Sequence, residues 1–137
     1  MSGSAPAKPR PFPRGEEKAW FEAAAEGWLA LGSCRSCGAW FLPRTVCPKC
    51  WSQDVEIARS SGRGEVYSFT VLHRPGRPGF EDDVPYVVAL IETEEHVRVL
   101  TNLVGVDPGV VRIGMQVEVT FEDRGEGLTV PQFTPTV

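Results

Sequence analysis

The chain has 137 residues, enough for one ordinary domain or for a small domain with a metal-stapled module. Hydrophobic residues make up 42%, which calls for a real core, and the net charge of −4 argues against coating nucleic acid or an anionic membrane by charge alone. No apolar run approaches the roughly 18 to 20 residues of a membrane span. Residues 1–15 carry Pro6, Pro9, Pro11 and Pro13 and read as an extended arm. The arm is basic without an apolar stretch, so it does not read as a secretory signal. The expected location is the cytoplasm, where thiols stay reduced and paired cysteines serve as metal ligands rather than disulfides.

A helical unit follows over 16–32. Glu16 to Leu31 is rich in Ala, Glu and Leu, lacks proline, and opens with two acids that suit the positive end of a helix dipole. Trp20, Ala24, Trp28 and Leu31 recur at helical spacing with Phe21 beside them, and Gly32 is the expected stop.

The next unit, 33–58, holds every cysteine in the chain. The pattern is Cys34-Arg-Ser-Cys37-Gly38 and Cys47-Pro-Lys-Cys50, with nine residues between Cys37 and Cys47. A Cys-x-x-Cys turn sets two sulfurs on one side of a tight knuckle, and Gly38 can adopt the positive φ that aims backbone N–H groups at sulfur. Two knuckles supply the tetrahedral S₄ set of a structural Zn²⁺, one ion per chain, with no open position for activating water. A single iron and a dithiol redox pair are the competing readings. The spacer is short for a rubredoxin, and no βαβ pattern accompanies a redox pair.

From residue 59 to 137 the pattern is of strands. Val66–Leu72, Tyr86–Ile91, Val97–Val104, Val117–Glu122 and Leu128–Phe133 are the candidates. Gly62-Arg-Gly64, the Arg74-to-Pro85 loop, Asp107-Pro-Gly109 and Gly125-Glu-Gly127 separate them. Five short strands fit an OB-like barrel, with a small open sandwich as the alternative. Tyr67, Phe69 and Phe121 are expected to fill that barrel. The fold class is thus mainly β: one helix, a zinc module and a five-stranded barrel.

No catalytic residue is assigned. His73 and His96 lack the nucleophile and orienting group of a catalytic histidine, and no Gly-x-Ser-x-Gly, P-loop or Rossmann fingerprint is present. Glu81, Asp82 and Asp83 read as a solvated acidic loop. Arg74 and Arg77, next to His73 in a Pro/Gly-shaped loop, could hold a phosphate or an acidic group as readily as they could be an ordinary loop. Residues 62–137 contain six Arg and no Lys against twelve Asp and Glu, about −6, so charge disfavours the nucleic-acid reading that an OB barrel invites. Trp20, Phe21, Trp28, Trp40, Phe41 and Trp51 crowd the front of the chain. That is more aromatic surface than so small a module buries, so part of it is expected to meet a partner protein.

The ordered motifs carry a resemblance. They are the Phe/Trp helix, Cys34-x-x-Cys37-Gly38, Pro43-Arg44-x-x-Cys47-Pro48-x-Cys50 and Ser61-Gly-Arg-Gly-Glu-Val-Tyr-Ser68. Pro85-Tyr86-Val-Val-Ala-Leu, Arg112-Ile-Gly-Met-Gln-Val117 and Pro131-Gln-Phe133 complete the set. Over roughly 12–135 the chain resembles the zinc-ribbon/OB-fold acyl-CoA-associated proteins, formerly a domain of unknown function. The resemblance implies a rubredoxin-like zinc ribbon and a C-terminal OB-fold. It implies a non-catalytic accessory subunit, in a hetero-oligomer with a thiolase, an acyltransferase or a steroid side-chain aldolase, that helps bind or channel acyl-CoA. A hotdog-fold enoyl-CoA hydratase is the other partner it implies. On that footing the aromatics dock the partner, and His73, Arg74 and Arg77 face the acyl-CoA. One departure stands out: Trp51 follows Cys50 where the family often has glycine.

Overall fold

The computed structural model describes residues 8–75 and 77–136; the front of the predicted arm, 1–7, and Gly76 of the 73–80 loop lie outside the described residues. Helix α1 spans Glu17–Glu26, followed by strands β1 (Ala30–Cys34), β2 (Trp40–Phe41) and β3 (Val55–Arg59). Five more strands follow: β4 (Arg63–Leu72), β5 (Tyr86–Thr93), β6 (Arg98–Leu103), β7 (Gln116–Asp123) and β8 (Thr129–Pro135).

The helix stops earlier than its composition suggests. Gly27 takes φ 89°, its N–H donates to the Ala24 carbonyl, and the Trp28 N–H donates to the Ala23 carbonyl. This is a Schellman closure, and only glycine enters it without a Cβ penalty. Trp28 and Leu31 therefore leave the helix. Leu31 sits fully buried in β1, the middle strand of a three-stranded sheet ordered β2-β1-β3. Gly32 is not a helix stop. It pairs with Phe41 across β1 and β2, and a Cβ there would lie 2.5 Å from the Phe41 ring.

The remaining strands close a barrel in the order β4-β5-β6-β8-β7, the OB topology, in place of an open sandwich. Buried Val87, Ala89, Ile91 and Thr93 alternate along β5 with half-buried residues, so the apolar run is one inward face plus a partly covered outer face. Closure turns on the Gly62-Arg-Gly64 motif. A Cβ on Gly64 would meet the Glu92 carbonyl oxygen at 2.5 Å and the Thr93 Cα at 3.0 Å, so β4 crosses β5 there only as glycine. Between β6 and β8 the wall is thin, with one parallel pair, Leu103 and Phe133.

Tyr67 departs from expectation. The register between β4 and β5 shifts between Val66 and Ser68, and this bulge turns Tyr67 outward to 46% exposure. The Arg98 guanidinium lies 3.8 Å from its ring centroid. Phe69 does pack on the core, half-buried.

The main core is shared. Val66, Ile91, Val117 and Phe133 of the barrel form one cluster with Leu29 and Leu31 from the ribbon side, and Trp20 and Trp40 pack against it. A second, small cluster consists of Cys34, Phe41 and Cys47. The arm is pinned where it is described. Lys8 pairs with Asp83 at 2.8 Å, and Arg10 donates to the carbonyls of Arg124 and Gly125 in the β7–β8 turn.

Candidate metal centre and the surface around it

Two turns build the metal centre. The first follows β1, where the Gly38 N–H donates to the Cys34 carbonyl and Gly38 takes φ 79°. The second follows residue 46, where the Trp51 N–H donates to the Cys47 carbonyl and the Cys47 N–H to the Ser52 carbonyl. The turns are equivalent, and the place of Gly38 is taken by Trp51 at φ 67°. A bulky side chain in the left-handed region is strained. The family's glycine at this position is therefore explained by backbone geometry, and so is the cost of departing from it.

The four sulfurs converge. All lie within 4.8 Å of one another, with Cys34–Cys50 and Cys37–Cys47 separations of 3.6 Å. A tetrahedral zinc with Zn–S bonds of about 2.3 Å needs sulfur separations of about 3.8 Å, so the cluster fits that ion. Cys34 and Cys47 are buried, while Cys37 and Cys50 face outward.

Backbone donors prepare the sulfurs for charge. Cys37 N–H points at Cys34 Sγ at 3.4 Å, and the N–H groups of Lys49 and Cys50 point at Cys47 Sγ at 3.3 and 3.4 Å. The Cys37 donor holds the Cys34 thiol below its usual range against the desolvation that raises it. Desolvation also pushes the Cys47 thiol up, but the Cys50 and Lys49 donors together with the neighbouring thiols bring it down to about 6. The Ser52 N–H lowers the Cys50 thiol, yet desolvation and the other three thiols drive it up to about 12. Four thiolates at this spacing repel one another, and a divalent cation is what lets all of them ionise. Cys34, Cys37, Cys47 and Cys50 would hold the zinc as a closed, structural site.

The other predicted residues are dispersed. His73, Arg74 and Arg77 are exposed in the loop between β4 and β5, and His73 is not part of the sulfur cluster. Of the six aromatics expected at a partner, Phe41 is corrected: it is 6% exposed, held against β1 under the gap left by Gly32. Trp20 and Trp40 are half-buried and packed on the main core. Phe21 and Trp28 are half-buried, and Trp51 is 79% exposed. Exposed Leu42 and Leu100 join Pro11, Trp20, Phe21 and Pro43 around an apolar groove where arm, helix, ribbon and barrel meet. Leu42 and Leu100 escaped sequence reasoning because an isolated leucine in a loop or strand carries no signal of which way it points.

Helix, four-thiol knuckles and closed β4–β8 barrel define a zinc ribbon joined to an OB-fold. Residues 21–56 match the family described as "ChsH2, rubredoxin-like zinc ribbon domain", and residues 58–122 match "ChsH2, C-terminal OB-fold domain". The chain belongs to this ChsH2 family, whose zinc-ribbon/OB-fold proteins are also called DUF35. It is 41% identical over 101 residues to a DUF35 domain-containing scaffold protein of Methanocaldococcus jannaschii, covering 69% of this chain and 71% of that protein. It is 40% identical over 131 residues to a probable enoyl-CoA hydratase alpha subunit of Thermomonospora curvata, covering 95% of this chain and 40% of that protein. The chain thus spans about two fifths of the length of that relative. Among solved structures, it superposes on a chain of an Ltp2-ChsH2(DUF35) aldolase with a TM-score of 0.83 at 40% identity, over 93% of this chain and 100% of that one.

Proposed function

We propose that the chain is a non-catalytic accessory subunit of an acyl-CoA-processing complex, docking on a thiolase-like enzyme or aldolase and helping it receive its acyl-CoA. One observation carries this reading: the whole of the matched chain in the Ltp2-ChsH2(DUF35) aldolase is reproduced here at a TM-score of 0.83. A 34% identical relative in Thauera aromatica, covering 72% of this chain and 69% of its own length, is a benzoylsuccinyl-CoA thiolase subunit. The closed sulfur site agrees with a structural rather than a reactive metal. Docking is assigned to the groove lined by Trp20, Phe21, Leu42 and Leu100 and to Trp51, with Trp28 and Trp40 as further partner-binding candidates. Apolar surface with exposed aromatics at its centre is what partner contacts are built from. His73, Arg74 and Arg77 remain the candidates for the acyl-CoA phosphates, because guanidiniums on an exposed loop can grip phosphate bidentately. The location proposed is the cytoplasm, where the thiols stay available for zinc.

A second reading pairs the chain with an enoyl-CoA hydratase, favoured by the relative from Thermomonospora curvata. Purification from the native host at native expression, with identification of the bound subunit, decides. A thiolase-superfamily or aldolase subunit is the expected partner, a hydratase selects the second reading, and a partner outside CoA metabolism overturns both.

A further inference from the structure

Strand β3 forms one margin of the ribbon sheet, and no strand among the described residues pairs with its outer side. The register fixes which backbone groups lie there. The Ser60 N–H donates to the Leu29 carbonyl and the Arg35 N–H to the Asp54 carbonyl, so the hydrogen-bonded pairs of the β1–β3 ladder fall on the even-numbered residues of β3. Val55, Ile57 and Arg59 therefore turn their N–H and C=O groups away from β1. The Val55 N–H is taken by the Gln53 carbonyl at 2.9 Å. The Ile57 and Arg59 N–H groups, and the carbonyls of all three residues, have no hydrogen-bond partner among the described residues.

Natural sheets blunt such an edge with proline, lysine, a bulge or a covering element. β3, Val55-Glu56-Ile57-Ala58-Arg59, has no proline or lysine, and its register with β1 runs without a shift. Its two charges are engaged within the chain. Glu56 accepts from Arg35 at 3.0 Å, and the Arg59 guanidinium lies 5.9 Å from the Trp28 ring centroid. Ile57 is 43% exposed on this edge and lines, with Ala19 and Val55, a hollow beside it. No residue of that hollow lines the groove of Phe21, Leu42 and Leu100, so the edge is a separate surface.

An open row of backbone donors and acceptors is complementary to an extended chain. The order of the groups selects which chain. Across a two-fold axis at Ile57, a second β3 runs antiparallel and sets Ile57 opposite Ile57, Val55 opposite Arg59 and Glu56 opposite Ala58. Each free N–H then meets a free carbonyl. Ile57 N–H donates to the Ile57 carbonyl of the second copy, and Arg59 N–H to its Val55 carbonyl. No two like charges stand opposite. Moving the axis to Glu56 sets that carboxylate against its own copy, and moving it to Ala58 leaves Val55 unpaired. With the axis at Ile57 the two isoleucine side chains fall on one face and cover each other.

We propose that the chain pairs with a second copy of itself through β3, joining two ribbon sheets into one. This goes beyond the acyl-CoA reading and does not rest on it. An edge of five residues buries less than the roughly 1,200 Å² of a stable interface, so the dimer is weak, with a dissociation constant between about 1 µM and 1 mM.

The test is sedimentation equilibrium of the zinc-loaded full chain at loadings from about 10 µM to about 1 mM. The weight-average mass is expected to rise toward that of a dimer across the series. Amide hydrogen exchange on the same samples reads the site. The Ile57 and Arg59 amides should gain protection with concentration, while those of Glu56 and Ala58, already bonded to β1, should not change. Ile57→Pro removes one outward N–H and none of the β1 ladder bonds, so it should keep zinc content and weaken association at least about tenfold. Ile57→Lys, which adds an edge charge and keeps the backbone donor, serves as the second variant should Ile57→Pro not fold, and it should weaken association as well. A mass that stays monomeric to the highest loading overturns the inference. So does a dimer unaffected by both variants, or one whose Ile57 and Arg59 amides exchange as they do in the monomer. A chain that is monomeric alone, yet loses its acyl-CoA enzyme through Ile57→Pro, overturns self-pairing in favour of a strand from that enzyme.

Discussion

The ribbon and the barrel are held by different forces. The barrel has a continuous apolar interior running from Val66 to Phe133. The outer ribbon has only Cys34, Phe41 and Cys47 fully buried together, two of them prospective metal ligands. A cluster that small cannot offset the conformational entropy of the two knuckles, so the metal has to. The boundary between the two regimes does not fall between the modules. Leu29 and Leu31, on the ribbon side, belong to the barrel's core, so the inner part of the ribbon sheet should survive whatever melts the knuckles.

Removing the metal is the strongest way to break this comparison. Zinc-finger peptides gain roughly 10–16 kcal/mol from their ion, and the knuckles here should lose their order on chelation while the barrel keeps its own. Hydrogen exchange on chelator-treated protein should show residues 34–54 losing protection and β4 to β8 retaining it. Cys47→Ser should do the same to zinc content. Loss of protection throughout would mean that the two regions form one cooperative unit.

The converse experiment attacks the barrel. Phe133 is fully buried at the single residue pair joining β6 to β8. Phe133→Ala should cost about 3–5 kcal/mol in chemical denaturation. Because Leu29 and Leu31 share its cluster, the ribbon's inner sheet should weaken with it, while zinc stoichiometry stays at one.

Trp51 separates stability from function within the ribbon. It holds φ 67° and is 79% exposed, so strain is stored in a side chain that gains little from its own protein. Trp51→Gly should leave the thermal midpoint unchanged or raise it slightly, the relief of roughly 1–2 kcal/mol of left-handed strain being offset in part by glycine's flexibility when unfolded. Affinity for the acyl-CoA enzyme should fall by at least about 2 kcal/mol if Trp51 is a docking anchor. Titration calorimetry with the identified partner, run beside thermal melts, reads both. Unchanged affinity would move docking to the Leu42 and Leu100 groove alone.

The same contrast governs what was legible in the sequence. Cysteine spacing announces the metal site because four ligands at two fixed intervals have few other uses, and alternation in β5 and β7 announces the barrel. The helix end was not legible: Ala and Trp stand on both sides of Gly27, the stretch Trp28 to Leu31 reads equally well as helix or as buried strand, and only the packing of Leu29 and Leu31 against the barrel decides. Tyr67 was misplaced for a related reason. A bulge shifts the register by one residue and sends the wrong face outward, and nothing in Val66-Tyr67-Ser68 encodes the shift.

The smallest expected effect lies at the joint itself. Glu95, in the turn between β5 and β6, accepts from Ser60 Oγ at 2.8 Å and from the Ser61 N–H at 2.7 Å, tying the link between ribbon and barrel. Partial burial raises its carboxyl, but the Ser61 and Ser60 donors outweigh that and hold it below the usual glutamate value. A depressed folded value means stability that is present above the unfolded value near 4.3 and is lost as pH falls through the folded one. Stability of the native chain should therefore decline as the pH drops below about 4.3, and Glu95→Gln should flatten that decline while costing less than about 1 kcal/mol at neutral pH, given how much solvent the side chain still meets. Urea denaturation at pH 7 and again below pH 4 gives the slope. An equal decline in Glu95→Gln would assign the acid sensitivity to other carboxylates and leave the joint held by the shared core, with Leu29 and Leu31 rather than the ion as the link between the two regions.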